Sequence, residues 1–262
     1  MKTKTLLIAA AALAAGVISS QAQVYSQNIV GYANLACPTG GKNYLITCPF
    51  TVGVSNGINE VFGSTLPVGS SVLIWNGVNN YITALYDNTD PNGVGPGAPE
   101  WYQGDGATPL SPLPTLPPGQ GFFLIPATPL TNTFTGSVAV APGTNSVINM
   151  ATGGKNYLVA STVPYAGAIT NGNSSGGGPN LNNLSVGTSL LFWNGVNNYR
   201  VALYDNTDPN GVGAGAPEWY QGDGATPYVD PGTSGNLPNI SVGQGFFVIP
   251  AIPYKWTNGL AN

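Results

Sequence analysis

Eight of the ten acidic residues of this chain fall in two short blocks. The first block holds Asp87, Asp90, Glu100 and Asp105, and the second holds Asp205, Asp208, Glu218 and Asp223. In the first, Asp87, Asp90 and Asn92 stand at positions 1, 4 and 6 of a run that then turns at Gly93, and Asp205, Asp208 and Asn210 repeat the pattern. A calcium ion takes six to eight oxygens from carboxylates, amides and carbonyls on a loop bent by glycine. Glu100 with Asp105, and Glu218 with Asp223, can return from the far arm of each loop to complete such a set. One calcium ion per block is therefore one expectation, although the spacing is not that of an EF-hand. The competing expectation is a long hairpin loop whose Asp and Asn side chains cap turns through their own backbone.

The same blocks carry Trp75, Tyr81, Tyr86, Trp101 and Tyr102, then Trp193, Tyr199, Tyr204, Trp219 and Tyr220, with Asn79, Asn80 and Gln103 among the first set. Aromatic rings cover apolar sugar faces while planar amides and carboxylates read hydroxyls, so this set is a candidate carbohydrate site. Alternating aromatics also fill the core of a β-sandwich, and that expectation stands beside the first. Paired carboxylates such as Asp87 and Glu100 suit glycoside hydrolysis. They occur twice, however, and no G-x-S-x-G, H-E-x-x-H or P-loop pattern accompanies them. The expectation is a chain without catalytic residues.

Composition narrows the field further. The 262 residues include six Lys+Arg and no His, and 6% are charged, against roughly 25% in an ordinary soluble domain. Without His there is no Ser-His-Asp relay and no His-ligated metal. So few cations leave no footprint for nucleic acid. The 42% hydrophobic and 10% aromatic content is enough to build a core.

The first 22 residues read as a secretory signal peptide: Lys2 and Lys4, an uncharged run from Leu6 to Val17, then small residues up to Ala22. Twelve apolar residues span about 18 Å as a helix, short of the roughly 30 Å of a bilayer core. No second long apolar stretch follows, so the mature chain is expected to lack a transmembrane segment. It is expected outside the cytoplasm, as an extracellular, cell-surface or periplasmic protein. It keeps four cations, Lys42, Lys155, Arg200 and Lys255, against all ten carboxylates. Cys37 and Cys48, with ten residues between them that include Thr39-Gly40-Gly41, would enter an oxidising compartment. The expectation is a disulfide across a hairpin, contributing about 2–3 kcal/mol. The alternative is two free buried thiols.

The elements that must position these residues are written twice. Thr39–Leu45 recurs as Thr152–Leu158, Trp75–Tyr81 as Trp193–Tyr199, and Gly119–Phe123 as Gly243–Phe247. The blocks Trp75–Pro109 and Trp193–Pro227 differ at three positions only: Ile82/Arg200, Thr83/Val201 and Pro96/Ala214. Short apolar or alternating runs, bounded by Gly, Pro and Asn clusters, predict strands at Asn28–Leu35, Tyr44–Cys48, Ser71–Trp75, Tyr81–Tyr86 and Phe122–Ile125. Asn59–Phe62 predicts a single helical turn. The expected fold is all-β: two tandem β-sandwich-like domains, residues 23–129 and 130–262, of short antiparallel strands with long Gly/Pro/Asn-rich loops. Leu130–Val138 is similar to the strand at Asn28–Leu35, and Tyr254–Gly259 looks like the start of another. Each trailing strand either joins the next unit, allowing head-to-tail addition, or closes its own sheet.

The order of blocks resembles a module of secreted and surface proteins from environmental Gram-negative bacteria. In it a strand of the form G-x-N-L-I-x-N-P precedes a W-x-G-x-x-Y hairpin, and a P-G-x-G-F-F strand closes the unit. The counterparts here are Lys42–Pro49, Trp75–Tyr81 and Pro118–Phe123, with Val242–Phe247 closing the second copy and Val24–Tyr32 opening the mature chain. Many such proteins carry a C-terminal sorting tail, whereas this chain ends at Asn262 without one. The resemblance implies an exported tandem β-repeat protein and assigns no chemistry to any residue. Taken together, the expectation is a secreted, non-catalytic structural or adhesive protein, self-associating or bound to extracellular polysaccharide. Carbohydrate binding through the aromatic and acidic loops is the alternative.

Overall fold

Period-two alternation decides the architecture, because successive side chains of a strand point to opposite faces. The computed structural model describes residues 30–88, 98–171, 178–206, 217–231 and 235–260. The segment expected to be a signal peptide, together with Asp90, Asn92, Asp208 and Asn210, lies outside the described residues. The protein is all-β, with antiparallel pairing throughout the described strands and one short helix among the described residues. No described helix is long and apolar enough to cross a membrane.

The first copy contains β1 (Val30–Cys37), β2 (Tyr44–Ile46), β3 (Phe50–Thr51), α1 (Ile58–Phe62), β4 (Ser70–Trp75), β5 (Tyr81–Asp87), β6 (Glu100–Gln103), β7 (Phe122–Ile125) and β8 (Leu130–Val138). Five of these strands form a sheet in the order β2-β7-β4-β5-β6, and three form a second in the order β1-β8-β3. Val72, Ile74, Ala84, Tyr86, Phe122 and Leu124 point from the first sheet onto Cys37, Phe50 and Phe134 of the second, with Ile58, Val61 and Phe62 of α1 filling the space between. This arrangement fits a β-sandwich.

The second copy repeats it with β9 (Asn145–Met150), β10 (Tyr157–Ala160), β11 (Gly167–Ala168), β12 (Thr188–Trp193), β13 (Tyr199–Asp205), β14 (Glu218–Gln221), β15 (Asn239–Ile240), β16 (Gly245–Ile249) and β17 (Tyr254–Gly259). Its five-stranded sheet has the matching order β10-β16-β12-β13-β14, faced by the pairs β9-β17 and β11-β15. The β4–β5 turn is held by Asn76, whose Oδ1 accepts the N–H groups of Val78, Asn79 and Asn80 at 2.9, 3.1 and 3.2 Å. Gly77 takes φ +81° there, so the Asn-Gly pair fixes the register that sets Trp75 opposite Tyr81. Asn194 makes the same three bonds between β12 and β13.

The trailing strands close their own sheets. β8 pairs along its length with β1, from Val30 opposite Ser137 to Cys37 opposite Leu130, and β17 pairs with β9. The change of partner thus falls in residues 139–144, beginning nine residues beyond the boundary read from the repeat pattern.

The expected disulfide is not formed: Cys37 and Cys48 are free, buried thiols. The reason is topological. The strands flanking Thr39–Gly41 do not make a hairpin, since β1 pairs with β8 while β2 pairs with β7 in the other sheet. Cys48 Sγ instead donates to Phe50 O at 3.4 Å, and burial pushes both thiols up to about 11.

Candidate functional site

Asp87 and Glu100 sit directly opposite each other on β5 and β6, as do Asp205 and Glu218 on β13 and β14. Asp105 does not join them. It follows the far end of β6, roughly 10 Å from Glu100 at the rise of a strand. There its Oδ1 accepts the N–H groups of Ala107 and Thr108, and its Oδ2 accepts the Thr108 hydroxyl at 2.6 Å. Those bonds favour the carboxylate and hold Asp105 at about 2. Asp223 repeats every contact with Ala225 and Thr226, and it is also held at about 2. Asp105 and Asp223 are thus turn formers. Among the described residues no group of three or more His, Cys, Asp or Glu side chains is placed to hold a metal ion.

The ten aromatic candidates divide into two sets. Tyr86 and Trp101 pack ring to ring at 5.0 Å inside the first copy, and Trp101 Nε1 donates to Asn59 Oδ1 of α1. Tyr204 and Trp219 pack ring to ring in the second copy, at 5.2 Å. Tyr102 and Tyr220 are buried as well. None of the ten is an exposed ring.

Trp75, Tyr81, Trp193 and Tyr199 point the other way, off the far face of each five-stranded sheet. With Leu45, Leu73, Phe123, Leu158, Leu191 and Phe247 they form a third apolar cluster, and this one joins the two copies. Its contacts come in reciprocal pairs. Trp75 meets Phe247 edge-on at 5.7 Å and 88°, and Trp193 meets Phe123 at 5.5 Å and 85°. Trp75 Nε1 donates to Asn156 O at 3.0 Å, and Trp193 Nε1 donates to Asn43 O at 2.8 Å. Thr47 N–H donates to Gly243 O and Ala160 N–H to Gly119 O, at 2.9 and 3.0 Å. Single bridges link Ile46 with Gln244 and Val159 with Gln120. The Tyr81 and Tyr199 phenols lie close enough to influence each other's ionisation, and burial raises both. A residue touching its own counterpart marks a local twofold axis.

The Gly-Gln-Gly-Phe-Phe motif has a steric reason here. A Cβ on Gly245 would lie 2.9 Å from Ile46 O, and one on Gly121 would lie 2.9 Å from Leu158 Cδ1. The motif glycine therefore lets the copies approach, and the second phenylalanine fills the joint. A groove of about 260 Å³ opens beside this face, lined by Leu35, Tyr44, Trp193, Gly243 and Gln244 among others.

One cluster escaped the sequence reading. Arg200 Nη2 lies 3.3 Å from Asp230 Oδ1, and its guanidinium is 5.3 and 5.8 Å from the rings of Phe192 and Tyr228. Tyr228 donates its hydroxyl to Asp230, and Asn239 Nδ2 donates to the other carboxylate oxygen. The available signal was the Ile82/Arg200 difference in otherwise matching blocks.

No family model matches the chain, and no curated protein or solved structure matches it either.

Proposed function

We propose that the chain is an exported, non-catalytic structural or adhesive protein of the cell exterior. One observation carries this reading. Trp75/Trp193, Tyr81/Tyr199 and Phe123/Phe247, each identical in the two copies, are spent on joining the copies. A binding or catalytic protein would be expected to turn its repeated residues toward an open cleft. Asp105 and Asp223 support the same reading, because their carboxylates are engaged in turns. The weak charge of the chain adds to it, since little like-charge repulsion opposes contact with neutral surfaces or with other copies. For the carbohydrate-binding alternative, through the aromatic and acidic loops of each repeat, the groove beside Trp193 is one candidate place among the described residues.

The test uses the mature chain. Sedimentation and negative-stain microscopy should reveal assembly or attachment to envelope material. A monomer at high concentration with no attachment would contradict the reading. Retention on a glycan array, reduced by Val242→Trp in the groove, would favour the alternative.

A further inference from the structure

The face between the copies presents the same residues from both sides: Leu45 and Leu158, Leu73 and Leu191, Trp75 and Trp193, Tyr81 and Tyr199, Phe123 and Phe247. Its hydrogen bonds are reciprocal too, each indole donating to the carbonyl before the other copy's β2 or β10 tyrosine. Such a face is isologous. It offers an incoming copy the same contacts whether that copy sits on its own chain or on a second one. Intramolecular pairing is favoured only by the effective concentration that the connection supplies. That connection is residues 139–144. It is turned by Thr144, whose N–H and hydroxyl both bond Ala141 O at 3.0 and 2.7 Å, with Gly143 at φ +73°.

We propose that chains exchange copies across this face, with residues 139–144 as the hinge. The partner is a second molecule of this same chain. Reciprocal exchange closes a dimer. Non-reciprocal exchange leaves one unpaired face at each end of the pair, so chains add end to end. The inference goes beyond the structural role proposed above, because it names the face and the partner and stands whether or not the protein attaches to surfaces.

A full chain lacking Pro142 and Gly143 cannot form the Ala141–Thr144 turn. Sedimentation equilibrium should return at least twice the chain mass for it, with the near-ultraviolet circular dichroism of the packed Trp and Tyr rings unchanged. A folded monomer would overturn the proposal. Where the shortened chain does not fold, the wild-type chain decides. Tagged and untagged chains, unfolded together and refolded at high concentration, should yield a mixed dimer that survives dilution. Refolding to monomer alone would overturn the proposal. So would a dimer abolished by Tyr32→Lys, because Tyr32 is 75% exposed on the outer strand β1 and such a result would assign association to strand edges instead.

Discussion

Glu60 shows how the acidic side chains of this protein work. Its carboxylate accepts the N–H groups of Val54, Ser55 and Gly57 at 2.9, 3.0 and 2.9 Å. These bonds hold it at about 2, as the turns hold Asp105 and Asp223. A depressed carboxylate stabilises the fold above its unfolded value, near 4, and that contribution fades as pH falls toward 2. Melting temperature should therefore drop between about pH 4 and pH 2, and the triple variant Glu60→Gln, Asp105→Asn, Asp223→Asn should melt with a flatter profile over that range. At neutral pH, chelator should leave the wild-type melting temperature unchanged, because two of the supposed calcium ligands are engaged in turns. Arg200 allows a sharper substitution. Arg200→Ile copies the residue found at position 82 but leaves the Asp230 carboxylate buried without its cation. Denaturant unfolding should register a loss of about 2–3 kcal/mol, discounted for the partial exposure of the guanidinium. The turn role of Asp105 was legible in the sequence, since Asp followed by Gly and Thr is local chemistry. The Arg200–Asp230 pair was not, because thirty residues separate its members.

At the scale of elements, the strands with clear alternation or Asn-Gly turns stood out in the sequence. β4 and β5 are the plainest case, since Asn76 and Gly77 fix their register locally. Pairing between distant strands was not legible from local spacing. The sequence left open whether β8 joins the next unit or closes its own sheet, and it closes its own sheet by pairing with β1, about one hundred residues upstream. Cys37 and Cys48 looked like hairpin partners because the turn between them is real, with Gly41 at φ +70°. Yet that turn carries the chain from one sheet to the other. Gly40 packs so closely there that a Cβ would lie 2.5 Å from Ala127 O, and local spacing carries no trace of that contact. The protein, unfolded without reductant, should take two alkyl groups by mass spectrometry, and the folded protein should take none. Failure of the unfolded chain to react would show a disulfide.

At the scale of the whole molecule, the duplication is a joint as well as a repeat. Each five-stranded sheet is apolar on both faces: one covers its own sandwich core, and the other meets the second copy. The aromatic residues read in the sequence as a sugar site or as filling for a sandwich core, and burial of an outer face against the other copy was not legible there. The matching Trp, Tyr and Phe of the two copies answer that by contacting one another. A double-mutant cycle on Trp193→Ala and Phe123→Ala tests this joint most directly, because Trp193 lies on β12 of the second copy and Phe123 on β7 of the first. The predicted coupling in unfolding free energy is about 1 kcal/mol, with Trp193→Ala and Phe122→Ala as the uncoupled control, since Phe122 faces the first copy's own core. Additivity of Trp193→Ala and Phe123→Ala to within about 0.3 kcal/mol would mean that the two rings do not meet, and would contradict the joint.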